Sequence, residues 1–219
     1  MCRKPLLVGV TGGIGSGKST VCRILVELGC ELFEADRVAR DLQVEDQEVI
    51  RGIGELFGSG VYSRDADGGL SIDRKAIAAA VFSDRTKLDA LNALIHPKVF
   101  EAFERDVERC RREGRTILCK EAAIMFESGR AGELDRIVVV AADRELRVDR
   151  AVSRGLGSRE DVMRRMQAQW PQEKLIERAD YVIWNNGSVD DLRHRSEEVF
   201  RSLLAVAESG CDRGREDRQ

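Results

Sequence analysis

Apolar residues in this chain fall into two patterns that alternate along it. Short, mostly apolar runs occur at residues 6–11, 116–119, 136–141 and 181–184, and residues 30–34, with Leu32-Phe33 between two glutamates, add a second short strand. Each reads as a strand buried on both faces of a parallel sheet. Between them apolar residues recur at helical spacing. Val21, Ile24, Leu25 and Leu28 share one face over residues 18–28, and Gly29 supplies the stop. A second helix starts near Asp36, with Val38, Ala39 and Leu42 as its apolar side. Asp73 marks the start of a helix ending near Phe82, and Ser83 or Asp84 starts the next, which ends near His96. Pro97 then opens a further helix whose Val99, Phe100, Phe103 and Val107 form a stripe toward Arg112. Asp143, the pair Ser158 with Asp161, and the pair Ser188 with Asp191 mark three more helix N-termini. Val199, Leu203 and Val206 carry the last helix. The glycine-rich stretch 52–70 breaks both patterns: Val61-Tyr62 and Leu70-Ser71-Ile72 either pair as a hairpin or belong to a flexible surface loop. Strands alternating with helices imply an α/β fold, a five-stranded parallel sheet with helices on both faces.

Composition narrows this picture. At 219 residues and 42% hydrophobic, the chain can bury a core without disulfides. We expect a single domain over 1–207, with a helical insertion at about 46–112 and a charged, disordered tail at 208–219. The net charge of −3, with both signs spread along the chain, argues against a dedicated nucleic-acid binder. No apolar run approaches the ~18 residues of a membrane span, so no membrane partner is expected. The first residues run straight into the first strand, so no signal peptide is expected, and the six scattered cysteines form no C-x-x-C pair. A reducing, cytoplasmic setting is the expectation.

Candidate chemistry concentrates after the first strand. Gly12-Gly13-Ile14-Gly15-Ser16-Gly17-Lys18-Ser19-Thr20 satisfies G-x-x-x-x-G-K-[ST], the phosphate-binding loop, between a strand and a helix. Glycines let the backbone N–H groups turn inward on phosphate oxygens, and the helix start adds its positive dipole end. Lys18 can reach the β- and γ-phosphates, and the Ser19 hydroxyl can ligate Mg2+. GTPases, motors and kinases share this loop, but no N-K-x-D guanine motif occurs. Asp36 follows the second strand, where it can accept a hydroxyl proton or merely cap its helix. Seven arginines lie between Arg144 and Arg165, with Gly155 and Gly157 as a plausible hinge. Arg150 and Arg154, four apart, share one helical face. The cluster reads as a lid over a transferring phosphoryl group, at about 144–169, or as a solvated face paired with Glu145, Asp149 and Glu160. Glu121 ends the third strand, either as the acid that holds Mg2+ through water or as an ordinary acid.

Four segments in order carry a resemblance to one family. The phosphate loop, Glu34-Ala35-Asp36-Arg37-Val38-Ala39-Arg40, Leu91-Asn92-Ala93-Leu94-Ile95-His96-Pro97, and Ala179 through Ser188 with its Asn-Asn-Gly turn are similar to segments of the dephospho-CoA kinases. The resemblance covers residues 7–192. It implies a three-layer P-loop kinase fold with an acceptor-binding insertion and an Arg-rich lid. It also implies transfer of the ATP γ-phosphoryl group to the ribose 3′-hydroxyl of dephospho-CoA, the last step of CoA biosynthesis. On this resemblance Asp36 is the catalytic base, and Lys18 and Arg150 stabilise charge. Arg40, His96 and Glu127 belong to the acceptor site, Arg150 and Arg154 cover ATP, and Asn186 and Gly187 lie near adenine. Arg165 with Gln169 match an Arg-x-x-x-Gln spacing, and Ser19 and Glu121 remain the Mg2+ candidates from the motif and the strand-end position. The chain departs from the family pattern at Glu34, which stands where an aspartate is common, and at Ala123, which stands where a proline is common.

Overall fold

A computed structural model describes residues 4–64, 66–126 and 131–216, with side chains through residue 209. The elements in chain order are β1 (Leu6–Thr11), α1 (Lys18–Glu27), β2 (Glu31–Glu34), α2 (Ala35–Glu45) and α3 (Gln47–Phe57). Next come β3 (Tyr62–Arg64), β4 (Leu70–Ile72), α4 (Arg74–Ser83), α5 (Arg85–Glu113) and β5 (Ile117–Glu121). The chain continues with β6 (Arg136–Ala141), α6 (Arg144–Ser153), α7 (Arg159–Gln167), α8 (Gln172–Ile176), β7 (Tyr181–Trp184) and α9 (Val189–Glu216). Two compact units divide it: residues 1–34 with 107–219, and residues 35–106. Among the described residues no helix is long and apolar enough to cross a membrane.

The first unit holds a five-stranded sheet in the order β2-β5-β1-β6-β7, with every pair parallel. The apolar runs explain it: Val8, Val10, Val138, Val139, Val140, Ile117, Leu118 and Ile183 are buried to 2% exposure or less. Such strands need cover on both faces. Val21, Ile24 and Leu25 of α1 and Leu192 and Leu203 of α9 join β1, β5, β6 and Ile183 in one core. On the other side of the sheet, Leu134 and Met125 approach Gly9 so closely that a Cβ there would overlap them. The strand order reverses direction at β1, whose neighbours are β5 and β6. Ligands of open α/β sheets bind outside the carboxyl ends of strands at such a switch point. The phosphate loop follows β1 and is therefore placed there.

The second unit packs Val49 and Ile53 of α3, Ile77 of α4 and Ile95 of α5 into a separate core, with Leu91 and Leu94 around it. Asp46 accepts hydrogen bonds from the amides of Glu48 and Val49 at 2.9 and 3.0 Å and so starts α3. Asp73 starts α4 in the same way through Lys75 and Ala76. The hairpin alternative holds: β3 and β4 pair antiparallel, Tyr62 opposite Ile72. Other readings need correction. The stretch read as breaking both patterns from residue 52 is helical as far as Phe57, as the end of α3. The expected helix break at Pro97 is absent, and α5 runs through it. A proline inside a helix costs about 3 kcal/mol, and buried Ile95 and Phe103 on either side hold the helix through the defect. Asp143 precedes α6 but makes no side-chain cap to it. Its Oδ1 instead accepts from Asn186 Nδ2 at 2.9 Å. The other two N-termini are as read, with reciprocal Ser158–Asp161 and Ser188–Asp191 bonds. The helix α9 runs on to Glu216, into the stretch expected as a tail.

Candidate active site

The phosphate loop owes its shape to two contacts that only glycine permits. Gly17 precedes α1 with φ 94°, and no side chain caps the helix, so its first amides are left to a ligand. A Cβ at Gly17 would overlap Asn185 Nδ2, and one at Gly15 (φ 76°) would overlap the carbonyl of Arg147. Asn185, buried at the end of β7, donates from Nδ2 to the Ser16 carbonyl at 2.8 Å. Its own amide donates to the Ala141 carbonyl at 2.7 Å, so β6, β7 and the loop are tied together. Within the loop, Ser16 N donates to the Gly13 carbonyl at 3.1 Å.

Three predicted residues converge at the mouth of the loop. Lys18 Nζ lies 2.7 Å from Glu121 Oε1, and Ser19 Oγ donates to the same oxygen at 3.3 Å. The Lys18 and Glu121 side chains are 13% and 12% exposed, so this is a shielded pair rather than a surface one. Register explains the meeting: Glu121 is the last residue of β5 and pairs with Val10 of β1, directly before the loop. One turn along α1, burial pushes the Cys22 thiol up to about 12, with Glu121 adding to the shift and Lys18 opposing it. That thiol is therefore inert packing.

With this geometry, comparison with known proteins is decisive. The family model described as dephospho-CoA kinase matches residues 6–191. This chain belongs to the dephospho-CoA kinase family. The dephospho-CoA kinase of Chlorobaculum tepidum is 68% identical over 206 residues, covering 94% of this chain and 99% of its own. That of Chlorobium luteolum is 55% identical over 95% of each chain. Among solved structures, TT1252 from Thermus thermophilus superposes with a TM-score of 0.78 at 34% identity, covering 93% of this chain and 98% of its own. The dephospho-CoA kinase from Campylobacter jejuni does so with 0.67 at 26%, covering 91% and 97%.

The remaining candidate residues of this family member distribute as follows. Asp36 is exposed in the first turn of α2, two residues after the end of β2, and Arg40 Nε donates to its backbone carbonyl at 2.9 Å. His96 is half-buried on α5. Asp36, Arg40 and His96 all belong to the second unit. Glu127 lies outside the described residues. Arg150 Nη1 donates to the Asn185 carbonyl at 2.9 Å, whereas Arg154 ends α6 exposed. Part of the arginine cluster follows the solvated-face reading, since Arg159 pairs with Glu145 and Asp149 on α6 and Arg164 pairs with Asp161. Gly155 and Gly157, between α6 and α7, take φ 72° and 126°. Asn186 exchanges two 2.9 Å bonds with Asp143, from the Asp143 amide and to its carboxylate. Gly187 sits so close to Asp191 that a Cβ would press on its carboxylate.

Sequence reasoning missed Arg147, Gln172 and Asn185. Arg147 looks in sequence like one of seven arginines, yet it is 7% exposed and lies against the phosphate loop. Its polar surroundings include Gln172, and both line a cavity of about 490 Å3 with Arg144, Trp170 and Trp184. Only a buried arginine's apolar neighbours, Val148 and Ala151, hint at it in the sequence. Gln169, which the family resemblance implied, accepts from the amide of Ile14 at 3.1 Å.

Proposed function

We propose that this protein transfers the γ-phosphoryl group of ATP to the ribose 3′-hydroxyl of dephospho-CoA, giving CoA and ADP. The observation that carries the proposal is the convergence of Lys18, Ser19 and Glu121 at the β1 switch point, in a chain that matches the dephospho-CoA kinase model almost throughout. Lys18, now held by Glu121, exchanges that carboxylate for β- and γ-phosphate oxygens. The uncapped start of α1 supplies amide donors for the same phosphates. Arg150 and Arg154 add charge over the transferring group and exclude water.

A divalent cation fits the donor set. The Ser19 hydroxyl and the Glu121 carboxylate are hard oxygen donors, and Mg2+ is bound through one or two such groups plus phosphate and water rather than by a protein cage. Among the described residues no cluster of three or more His, Cys, Asp or Glu forms such a cage. Ser19 and Glu121 would hold the ion, and bound Mg2+ would supply charge neutralisation of the β,γ-oxygens.

In the transfer, the 3′-oxygen bonds to the γ-phosphorus, the bond from that phosphorus to the bridging oxygen breaks, and ADP leaves. The hydroxyl proton passes to the Asp36 carboxylate. Arg40, His96 and Glu127 orient the acceptor. The turn at Asn186 and Gly187 offers adenine its backbone, because the Asn186 side chain is spent on Asp143.

The test is ADP release from purified protein with Mg-ATP, with and without dephospho-CoA, with CMP, AMP and pantothenate as decoys. Stimulation by dephospho-CoA alone, with CoA formed, is the expected result. Stimulation by a decoy would move the protein to another acceptor. Asp36→Asn should lower kcat by about 10²–10⁴ with the KM for ATP little changed. An unchanged kcat would leave Asp36 as a helix-start acid.

A further inference from the structure

The motif leaves Ile14 open, yet the fold grips it at every point. Its amide donates to Gln169 Oε1 at 3.1 Å, and its carbonyl accepts from Arg147 Nε at 3.0 Å. Its side chain packs on Val148, Ala151 and Val162 of α6 and α7. Arg147 does more than accept a place beside the loop. Its guanidinium fills the space where a Cβ on Gly13 would stand, and its carbonyl fills the space beside Gly15. Nη1 donates to Gln172 Oε1 at 3.2 Å, and that oxygen also accepts from the Ala142 amide at 3.1 Å. One planar fork therefore links the loop to the end of β6.

The residue is an expensive way to fill a gap. Burial lowers the Arg147 pKa from its ordinary value, with Glu173 opposing the fall and Arg144 adding to it. Among the described residues no carboxylate lies within ion-pair distance of the guanidinium. A charge buried on neutral acceptors costs stability relative to an apolar side chain of similar volume. What it supplies instead is a fixed loop shape and a buried positive charge beneath a site for a polyanion.

We propose that Arg147 is a positioning residue for the ATP phosphates, acting through the Ile14 peptide to hold the loop from Gly13 to Gly15 in its binding shape. The inference rests on ATP as the donor. Arg147→Gln removes the charge and the fork. Arg147→Lys keeps a charge but cannot span both oxygens. Both variants, shown folded by thermal melting, should weaken ATP binding in calorimetry and raise the KM for ATP about tenfold. The KM for dephospho-CoA should stay within about twofold. Gln172→Ala, which removes only the second anchor, should raise the KM for ATP about threefold and decides the matter if the Arg147 variants do not fold. ATP binding unchanged in folded variants, or an equal rise in both KM values, would overturn the inference. A parent protein that binds ATP but phosphorylates no acceptor would defeat the kinase reading instead, and weaker ATP binding by Arg147→Gln would still uphold this one.

Discussion

Gly17→Ala isolates how the fold shapes the phosphate loop. Alanine at φ 94° must occupy the left-handed region, at roughly 1–2 kcal/mol. Its Cβ would also overlap Asn185 Nδ2, which must leave the Ser16 carbonyl it now reaches at 2.8 Å. Asn185 is 7% exposed, so a displaced amide loses its partner away from water, at about 1–3 kcal/mol. The two effects sum to about 2–5 kcal/mol, a large share of a typical stability of about 5–15 kcal/mol. They can be separated. Asn185→Ala removes the overlapped group and, taken alone, costs about 1–3 kcal/mol for the lost bond. In that background Gly17→Ala should cost only the backbone share, about 1–2 kcal/mol. Urea unfolding of the parent, both single variants and the double variant gives the coupling directly. A coupling of about 1–3 kcal/mol is expected. If Gly17→Ala costs the same in both backgrounds within about 0.5 kcal/mol, the contact with Asn185 is not what reserves this position for glycine.

Two further predictions concern the mouth of the loop. Glu121→Gln removes the carboxylate that holds Lys18 and faces Ser19, and should raise the Mg2+ concentration for half-maximal rate about tenfold; an unchanged requirement would remove Glu121 from the metal site. The Cys22 thiol is raised in the folded state from 9.0 to about 12, so the unfolded chain loses its proton first as pH rises. The associated stability is fully present below pH 9 and is lost on approach to pH 12. Between these limits, urea midpoints should imply a fall that is steeper in the parent than in Cys22→Ala by about 1.4 kcal/mol per pH unit, and equal slopes would refute the burial argument.

The parts legible in the sequence are those set by local pattern. The runs ending at Thr11, Ala141 and Trp184 coincide with β1, β6 and β7, because their shortness and β-branched content decide for strands over buried helices. The capping pairs at Ser158 and Ser188 were legible for the same reason, since their bonds close within three residues. Pro97 misled because its local penalty was weighed without the burial of Ile95 and Phe103 that outweighs it. Asp143 stands at the N-cap position as read, but its Oδ1 accepts from Asn186, 43 positions away, rather than from the first amides of α6. Glu121 was visible as a strand-end acid, but its partnership with Lys18 depends on the register of β5 against β1.

The phosphate-loop motif itself divides along this line. Gly12, Gly17, Lys18 and Ser19 are specified because the phosphate they serve is the same in every protein that uses the loop. Ile14, at an unspecified position, is where this fold attaches the loop to its own framework, through Gln169 at a separation of 155 residues and Arg147 at 133. Contacts of that range have no spacing rule, so no reading of the loop alone could find them. The same reasoning says where to look for what makes this kinase differ from other users of the loop. On the proposed reading, changes at the specified positions would remove phosphate binding, whereas changes at Ile14, Arg147, Gln169 and Gln172 would alter the shape in which the phosphates are held. Asn185 belongs with the second group, since its buried side-chain amide donates to the Ser16 carbonyl.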